Sequence, residues 1–314
     1  MKRRTFLWSS AALISAVGLV GCVGTGEPYD ASNAEVLYPP IGKFVTVDGL
    51  KLHYWEAGEG PPLILIHGAS GNVRDWTFSI APELAKEFRV IAFDRPGFGF
   101  SDRPAEDGWD PGVQARAIQA GAQAIGAQNP IVIGHSWGGA VAMSWALQFP
   151  EQTRGVIPIS AVTMPYGGMS RVFRAIGLDG VLVDAYVNYV RRTAADGGIE
   201  RFVARAFRPQ QPPPGYLAYV GAPLSLREPT IRANSEDIQN LNVALQRMAP
   251  EYPSIEMPVE IIVGSEDFIN PRNHSYPMAE EIPTSRLTVL PGIGHMAHHA
   301  GIAEIRSAAQ RILA

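Results

Sequence analysis

The chain has 314 residues, 46% of them apolar and 18% charged, and a formal net charge of -4. That is long enough to bury a large core and too apolar for a disordered chain. The charge pattern argues against a nucleic-acid partner, because Lys and Arg are not clustered beyond Arg191-Arg192, read as a solvated helix face, and Lys2-Arg3-Arg4 at the N-terminus.

Lys2, Arg3 and Arg4 precede an apolar stretch from Phe6 to Val20 that ends at Gly21-Cys22. A basic head followed by an apolar segment is a targeting pattern and is left out of the fold. Cys22 is the single cysteine, so no intrachain disulfide can form. Arg3-Arg4-Thr5-Phe6-Leu7 resembles a twin-arginine export signal, and Leu19-Val20-Gly21-Cys22 resembles a bacterial lipobox. The resemblance implies a signal peptide over 1–21, cleavage before Cys22 and lipidation of its side chain. Residues 22–40 then form a tether, and the enzyme is an exported, membrane-anchored lipoprotein facing the periplasm or the cell exterior.

Alternating apolar positions over Lys43–Val47 and Leu50–Ala57, separated by Asp48-Gly49, predict an antiparallel hairpin. The next apolar runs are continuous rather than alternating: Leu63–Ile66, Val90–Phe93 and Ile131–Ile133 suit strands covered on both faces. Helices are expected between them over Trp76–Glu87 and Ala115–Ala127, giving a mostly parallel α/β sheet. Val259–Val263, Arg286–Leu290 and a last helix near Gly301–Leu313 resume the pattern in a second part of the core, 249–314. The first part covers 41–163. Between them, over 164–248, helical spacing around Val172, Ile176, Val183, Tyr186, Val187 and Val190 is broken by Pro209, Pro212, Pro213 and Pro214. Proline removes an amide donor, so this stretch is expected to be several short helices forming an inserted cap.

Gly134-His135-Ser136-Trp137-Gly138 joins the strand at Ile131–Ile133 to an expected helix over Ala140–Phe149. The G-x-S-x-G spacing permits a tight strand-to-helix turn that exposes Ser136 near a helix N-terminus. His67-Gly68-Ala69-Ser70-Gly71 follows an earlier strand, so the backbone amides of Ala69 and Trp137 are assigned to an oxyanion hole. His67 reads as a structural histidine tied to its loop.

From Lys43 onward the chain resembles the α/β-hydrolase superfamily, through His67-Gly68, the turn at Ser136 and the loop Asp94-Arg95-Pro96-Gly97-Phe98-Gly99-Phe100-Ser101. The resemblance, closest to capped serine esterases and C-C hydrolases, implies a mostly parallel eight-stranded sheet flanked by helices, with a helical cap at the insertion seen here. Asp94 and Arg95 are expected to serve the turn and an ion pair. In such a fold Asp267 and His295, each following a late strand, match the family's acid and base in the order Ser, acid, His.

Ser136 would then attack an acyl carbon, His295 would move the proton, and Asp267 would orient the imidazole. Glu266 is the competing carboxylate, expected in solvent. His298 and His299, at the start of the last helix, are expected to be capping or solvated residues, and with His295 they lack the ligand pattern of a zinc site. No cofactor or metal is called for. The substrate is expected to be a small organic molecule, foremost an uncharged carboxylic ester, with apolar and aromatic cap residues Met164, Tyr166, Met169, Phe173, Tyr186, Tyr189, Phe202 and Phe207 available to cover it. C-C bond hydrolysis, amide or aminopeptidase cleavage and cofactor-free perhydrolase or haloperoxidase chemistry remain alternatives, as does a ligand-binding protein on a hydrolase scaffold.

Overall fold

In the computed structural model, residues 27–166 and 181–314 are described. Cys22, the segment before it, and Met169, Val172, Phe173 and Ile176 lie outside them. No helix among the described residues is long and apolar enough to cross a membrane.

Eight strands among those residues form one sheet: β1 (Lys43–Val47), β2 (Leu50–Ala57), β3 (Pro62–Ile66), β4 (Arg89–Phe93), β5 (Ile131–His135), β6 (Gly155–Ile159), β7 (Val259–Gly264) and β8 (Ser285–Leu290). Their spatial order is β1-β2-β4-β3-β5-β6-β7-β8, antiparallel up to the β2/β4 pair and parallel beyond it. The β1/β2 hairpin turns through Asp48 and Gly49, both at positive φ (50° and 79°), as a two-residue turn requires. Along β3, Ile64 and Ile66 face a core layer containing Trp137, Val141 and Trp145, while Leu63 and Leu65 face another containing Trp76, Ile305 and Ile312. This two-sided burial explains the unbroken apolar runs, each fully buried aliphatic contributing roughly 2 kcal/mol.

Three features differ from the sequence reading. Trp76–Glu87 is not one helix; Val73–Thr77 and Ile80–Leu84 are separate. Pro82 has no amide to give the Phe78 carbonyl and its ring would collide with it, so a helix begun before Phe78 cannot run through. The second difference is β6, which contains Pro158 and is not among the strands expected from the sequence. The amides of Val156 and Ser160 donate to the Pro258 and Ile262 carbonyls of the β7 side, and Pro158, between them on the same edge, adds no donor to that ladder. Third, the described residues from 181 onward between β6 and β7 carry helices, with the cis Arg208-Pro209 bond and Pro212 to Pro214 separating Ile199–Phe207 from Tyr216–Val220. Not all of these helices are short, for Glu228–Met248 runs 21 residues because no proline interrupts it after Pro229.

Candidate active site

The C-terminal ends of β5, β7 and β8 converge on one cavity. At the end of β5, Ser136 has φ 53° and ψ -118°, a strained conformation for a residue with a Cβ. It is held by its own amide, which donates to the Ile159 carbonyl at 2.9 Å, and by its carbonyl, which accepts from Gly139 and Val162. The flanking glycines are required sterically. A Cβ at Gly134 would stand 2.2 Å from the Gly138 carbonyl oxygen, and one at Gly138 would stand 2.5 Å from the oxygens of Ile66 and His67.

The loops after β7 and β8 are brought together at Gly264, where any side chain would overlap the carbonyls of Ile293 and Gly294. Glu266 donates its amide to the Ile293 carbonyl at 2.8 Å and sends its side chain to solvent. Asp267 turns inward instead. Its Oδ1 lies 2.9 Å from His295 Nδ1 and accepts the Ile269 amide at 2.8 Å. His295 Nε2 lies 3.0 Å from Ser136 Oγ. The three side chains are buried, and Ser136 and His295 also line the cavity. Burial opposes charge on Asp267, but the attraction and hydrogen bond of His295 and the Ile269 amide outweigh it and hold the carboxyl below its usual range.

Ala69 lines the cavity beside Ser136. Trp137 is the first residue of the helix Trp137–Gln148, so its amide has no acceptor within that helix. His67 does serve its loop: Nε2 accepts from the Arg95 amide at 2.9 Å, which leaves Nδ1–H to donate to the Gly68 carbonyl at 2.8 Å. Asp94 and Arg95 are likewise structural. Asp94 accepts from the Val73 and Phe100 amides and meets His53, while Arg95 pairs with Asp237 at 2.7 Å, stacked between Phe98 and Trp137.

His298 and His299 are not solvated caps. Both are turned inward onto Asp75, with Nε2 atoms 3.0 and 2.9 Å from its two oxygens, and the Tyr216 hydroxyl donates to the same carboxylate at 2.8 Å. A carboxylate buried in the core draws any nearby donor inward, which spacing along the chain cannot reveal. Burial opposes the charge of Asp75, yet its imidazole partners hold it well below the ordinary carboxylate range; burial keeps His298 neutral, at about 4. His135, preceding the nucleophile, stacks on His298 at 3.9 Å, and its Nε2 lies 3.0 Å from the His295 carbonyl. Donor atoms of Asp75, His135 and His298 lie within 4.8 Å of one another. The stacked rings and the three donors already on Asp75 make this a hydrogen-bonded network bracing the His295 loop rather than a convergent ligand set. Asp75 was missed in sequence; its one signal is a charge set between Val73 and Trp76 in the turn after the His67 loop.

The cavity holds about 270 Å³. Tyr186, Tyr189, Phe202 and Phe207, expected to cover a substrate, line it together with Phe268 and Met296. Met164 and Tyr166 instead pack on the sheet core. Among the described lining residues there is no Lys or Arg, and the buried Asp75 is the one acidic side chain.

A pH effect on stability follows from the buried histidines. Burial depresses both His67 and His274 to about 4, from an ordinary 6.5. Between these values the unfolded chain binds more protons than the folded one, so stability is complete above about 6.5 and falls as pH drops toward 4. Denaturant titrations should show a loss of about 2 kcal/mol per imidazole between pH 7.5 and 5. Equal unfolding free energies at the two pH values would contradict this.

Comparison with known proteins agrees with the geometry. The family model for the alpha/beta hydrolase fold matches residues 61–301. The 2-hydroxy-6-oxo-6-phenylhexa-2,4-dienoate hydrolase of Burkholderia cepacia is 26% identical, over 81% of this chain and 90% of its own. The solved structure of Est816, described as an N-acyl homoserine lactone degrading enzyme, is 25% identical with a TM-score of 0.64, covering 85% of this chain and 99% of that one. A thermophilic esterase from Thermogutta terrifontis shares the fold at 21% identity and a TM-score of 0.66, over 86% and 99% of the two chains. With its family model spanning most of the sheet and both ends of the relay, the chain belongs to the alpha/beta hydrolase family.

Proposed function

We propose that this protein is a serine hydrolase of small to medium uncharged carboxylic esters. The observation that carries the reading is the unbroken path from Ser136 Oγ through His295 to Asp267 at the base of an apolar cavity. In the proposed reaction Ser136 Oγ bonds to the carbonyl carbon while its proton passes to His295 Nε2. The amides of Ala69 and Trp137 receive the oxyanion; one such donor is worth about 3 kcal/mol. The carbon–oxygen bond to the alcohol then breaks, and the alcohol leaves with the proton from His295. Water attacks the acyl carbon and gives a proton to His295, then the bond from that carbon to Ser136 Oγ breaks, His295 returns the proton to Oγ, and the acid departs. No cofactor enters these steps.

Hydrolysis of a C-C bond is the second reading, supported by the Burkholderia cepacia relative. That relative's named substrate is a carboxylate. A carboxylate entering this cavity would find Asp75 and no described cation, so the lining favours an uncharged ester. A kinetic panel of neutral esters of rising acyl length, an aryl amide, a proline amide and a vinylogous dienoate tests this. The expected outcome is a peak of kcat/KM on short or medium esters, with the dienoate at least about tenfold slower, equivalent to about 1.4 kcal/mol. Dienoate cleavage beside background ester rates would replace the esterase reading with the C-C hydrolase one. We further propose that the protein is exported and anchored through a lipidated Cys22, on the strength of the lipobox-like Leu19-Val20-Gly21-Cys22.

A further inference from the structure

Gly68 and Ala69 share one peptide unit, whose N–H is the Ala69 donor of the proposed oxyanion hole. A trans peptide is planar and its C=O and N–H point in opposite directions, so whatever fixes the Gly68 carbonyl also aims that donor. The carbonyl accepts from His67 Nδ1 at 2.8 Å, from the Gly71 amide at 3.3 Å and from Arg95 Nη2 at 3.4 Å. The unit lies against the nucleophile, since a Cβ at Gly68 would stand 3.1 Å from Ser136 Cβ.

The other end of this loop is held from beyond the sheet. Ser70, at a positive φ of 56°, donates its amide to Asn234 Oδ1 at 2.8 Å and accepts the Ser225 hydroxyl on its carbonyl at 2.7 Å. A residue with a Cβ keeps such a conformation only where partners hold it. Asn234 belongs to the helix Glu228–Met248. One turn further along that helix, Asp237 pairs with the buried Arg95 at 2.7 Å, and its carbonyl accepts the Trp137 indole N–H at 3.2 Å. A single helix between β6 and β7 thus grips both arms of the hole, the Gly68 loop through Asn234 and Arg95, and Trp137 through Asp237.

The geometry points to Asn234, with Ser225, as positioning residues of the reaction: by holding Ser70 they fix the direction of the Ala69 N–H toward the developing oxyanion. The inference rests on the serine-hydrolase reading and its oxyanion-hole assignment. Donors fixed in advance need no reorganisation as charge develops, so loosening them slows the reaction without weakening binding of the ground-state substrate.

The test measures three quantities on the full chain: kcat and KM on p-nitrophenyl butyrate, and the inhibition constants of an alkyl trifluoromethyl ketone and of the matching secondary alcohol. Ser136 Oγ adds to the ketone carbon, its proton passes to His295 Nε2 and the carbonyl oxygen becomes an oxyanion, which the alcohol cannot form. Asn234→Leu keeps the bulk of the side chain and removes the acceptor. It is expected to lower kcat about tenfold and to weaken the ketone by the same factor, with KM and alcohol binding within about twofold of wild type. Ser225→Ala, the milder change, should lower kcat and ketone affinity together by about threefold, and decides the question alone if Asn234→Leu does not fold. Asn240→Ala is the control on the same helix; its described hydrogen bond is to the Glu236 carbonyl, and its constants should stay within about twofold.

Unchanged kcat and ketone affinity in the folded variants would overturn the inference. So would a raised KM and weakened alcohol binding at unchanged kcat, which would make Asn234 a direct substrate contact, as its place in the cavity lining allows. A wild type that hydrolyses the ester yet binds the ketone no more tightly than the alcohol would overturn the oxyanion-hole assignment instead. One whose Ser136 takes no fluorophosphonate label would overturn the hydrolase reading itself.

Discussion

Replacing Ser136 with alanine is expected to abolish labelling by a fluorophosphonate probe and to lower kcat on the best ester about a million-fold, or about 8 kcal/mol in activation free energy. The hydroxyl is the nucleophile in the proposed reaction, and it lies 3.0 Å from His295 Nε2, the atom that takes its proton. Folding should survive the change, since alanine keeps the Cβ and meets the same positive φ of 53° that serine already tolerates. Circular dichroism and thermal melting of the variant check that point. Persistent probe labelling of a folded Ser136→Ala protein, or a rate within about tenfold of wild type, would remove Ser136 from the mechanism.

Changing Asp267 to asparagine should cost about ten-thousand-fold in kcat with little change in KM. Asp267 accepts from His295 Nδ1 at 2.9 Å, which leaves Nε2 free to take the serine proton. An asparagine amide offers a donor at that position and favours the opposite tautomer, with the proton on Nε2 and the base capacity lost. Glu266→Gln supplies the contrast. Its side chain is exposed and its described hydrogen bond is to the neighbouring Ser265, so its rates should stay within about threefold of wild type. The reverse pattern, with Glu266→Gln inactive and Asp267→Asn competent, would transfer the acid role to Glu266.

Much of the molecule was written locally. The β1/β2 hairpin is legible because Asp48-Gly49 can adopt positive φ, and the central strands because two-sided burial demands continuous apolar runs. Ser136 was legible from the turn that directly follows β5, whereas Asp267 and His295, three and five residues beyond β7 and β8, were read from the resemblance to α/β-hydrolases, in which parallel strands place their C-terminal ends on one edge of the sheet. The adjacent carboxylates could be ranked but not separated by sequence; the backbone turn after Gly264 sends Glu266 outward and Asp267 inward.

Other features depended on contacts between distant segments. β6 contains Pro158 and is held in the sheet by its pairing with β5 and by bonds from Val156 and Ser160 to carbonyls about a hundred residues away. The inward turn of His298 and His299 is set by Asp75, more than two hundred positions earlier. Aromatic spacing between β6 and β7 was equally compatible with core and cavity, and tertiary packing sent Tyr166 to the sheet core and Phe202 and Phe207 to the cavity. Sequence alone determined most of the strand pattern and the nucleophile turn, since these follow from backbone conformation and burial period, while the acid and base of the relay came from the resemblance to α/β-hydrolases. The partners of buried polar groups and the lining of the cavity were decided only by the tertiary structure, because hydrogen bonding and desolvation act between surfaces whose proximity no local pattern encodes.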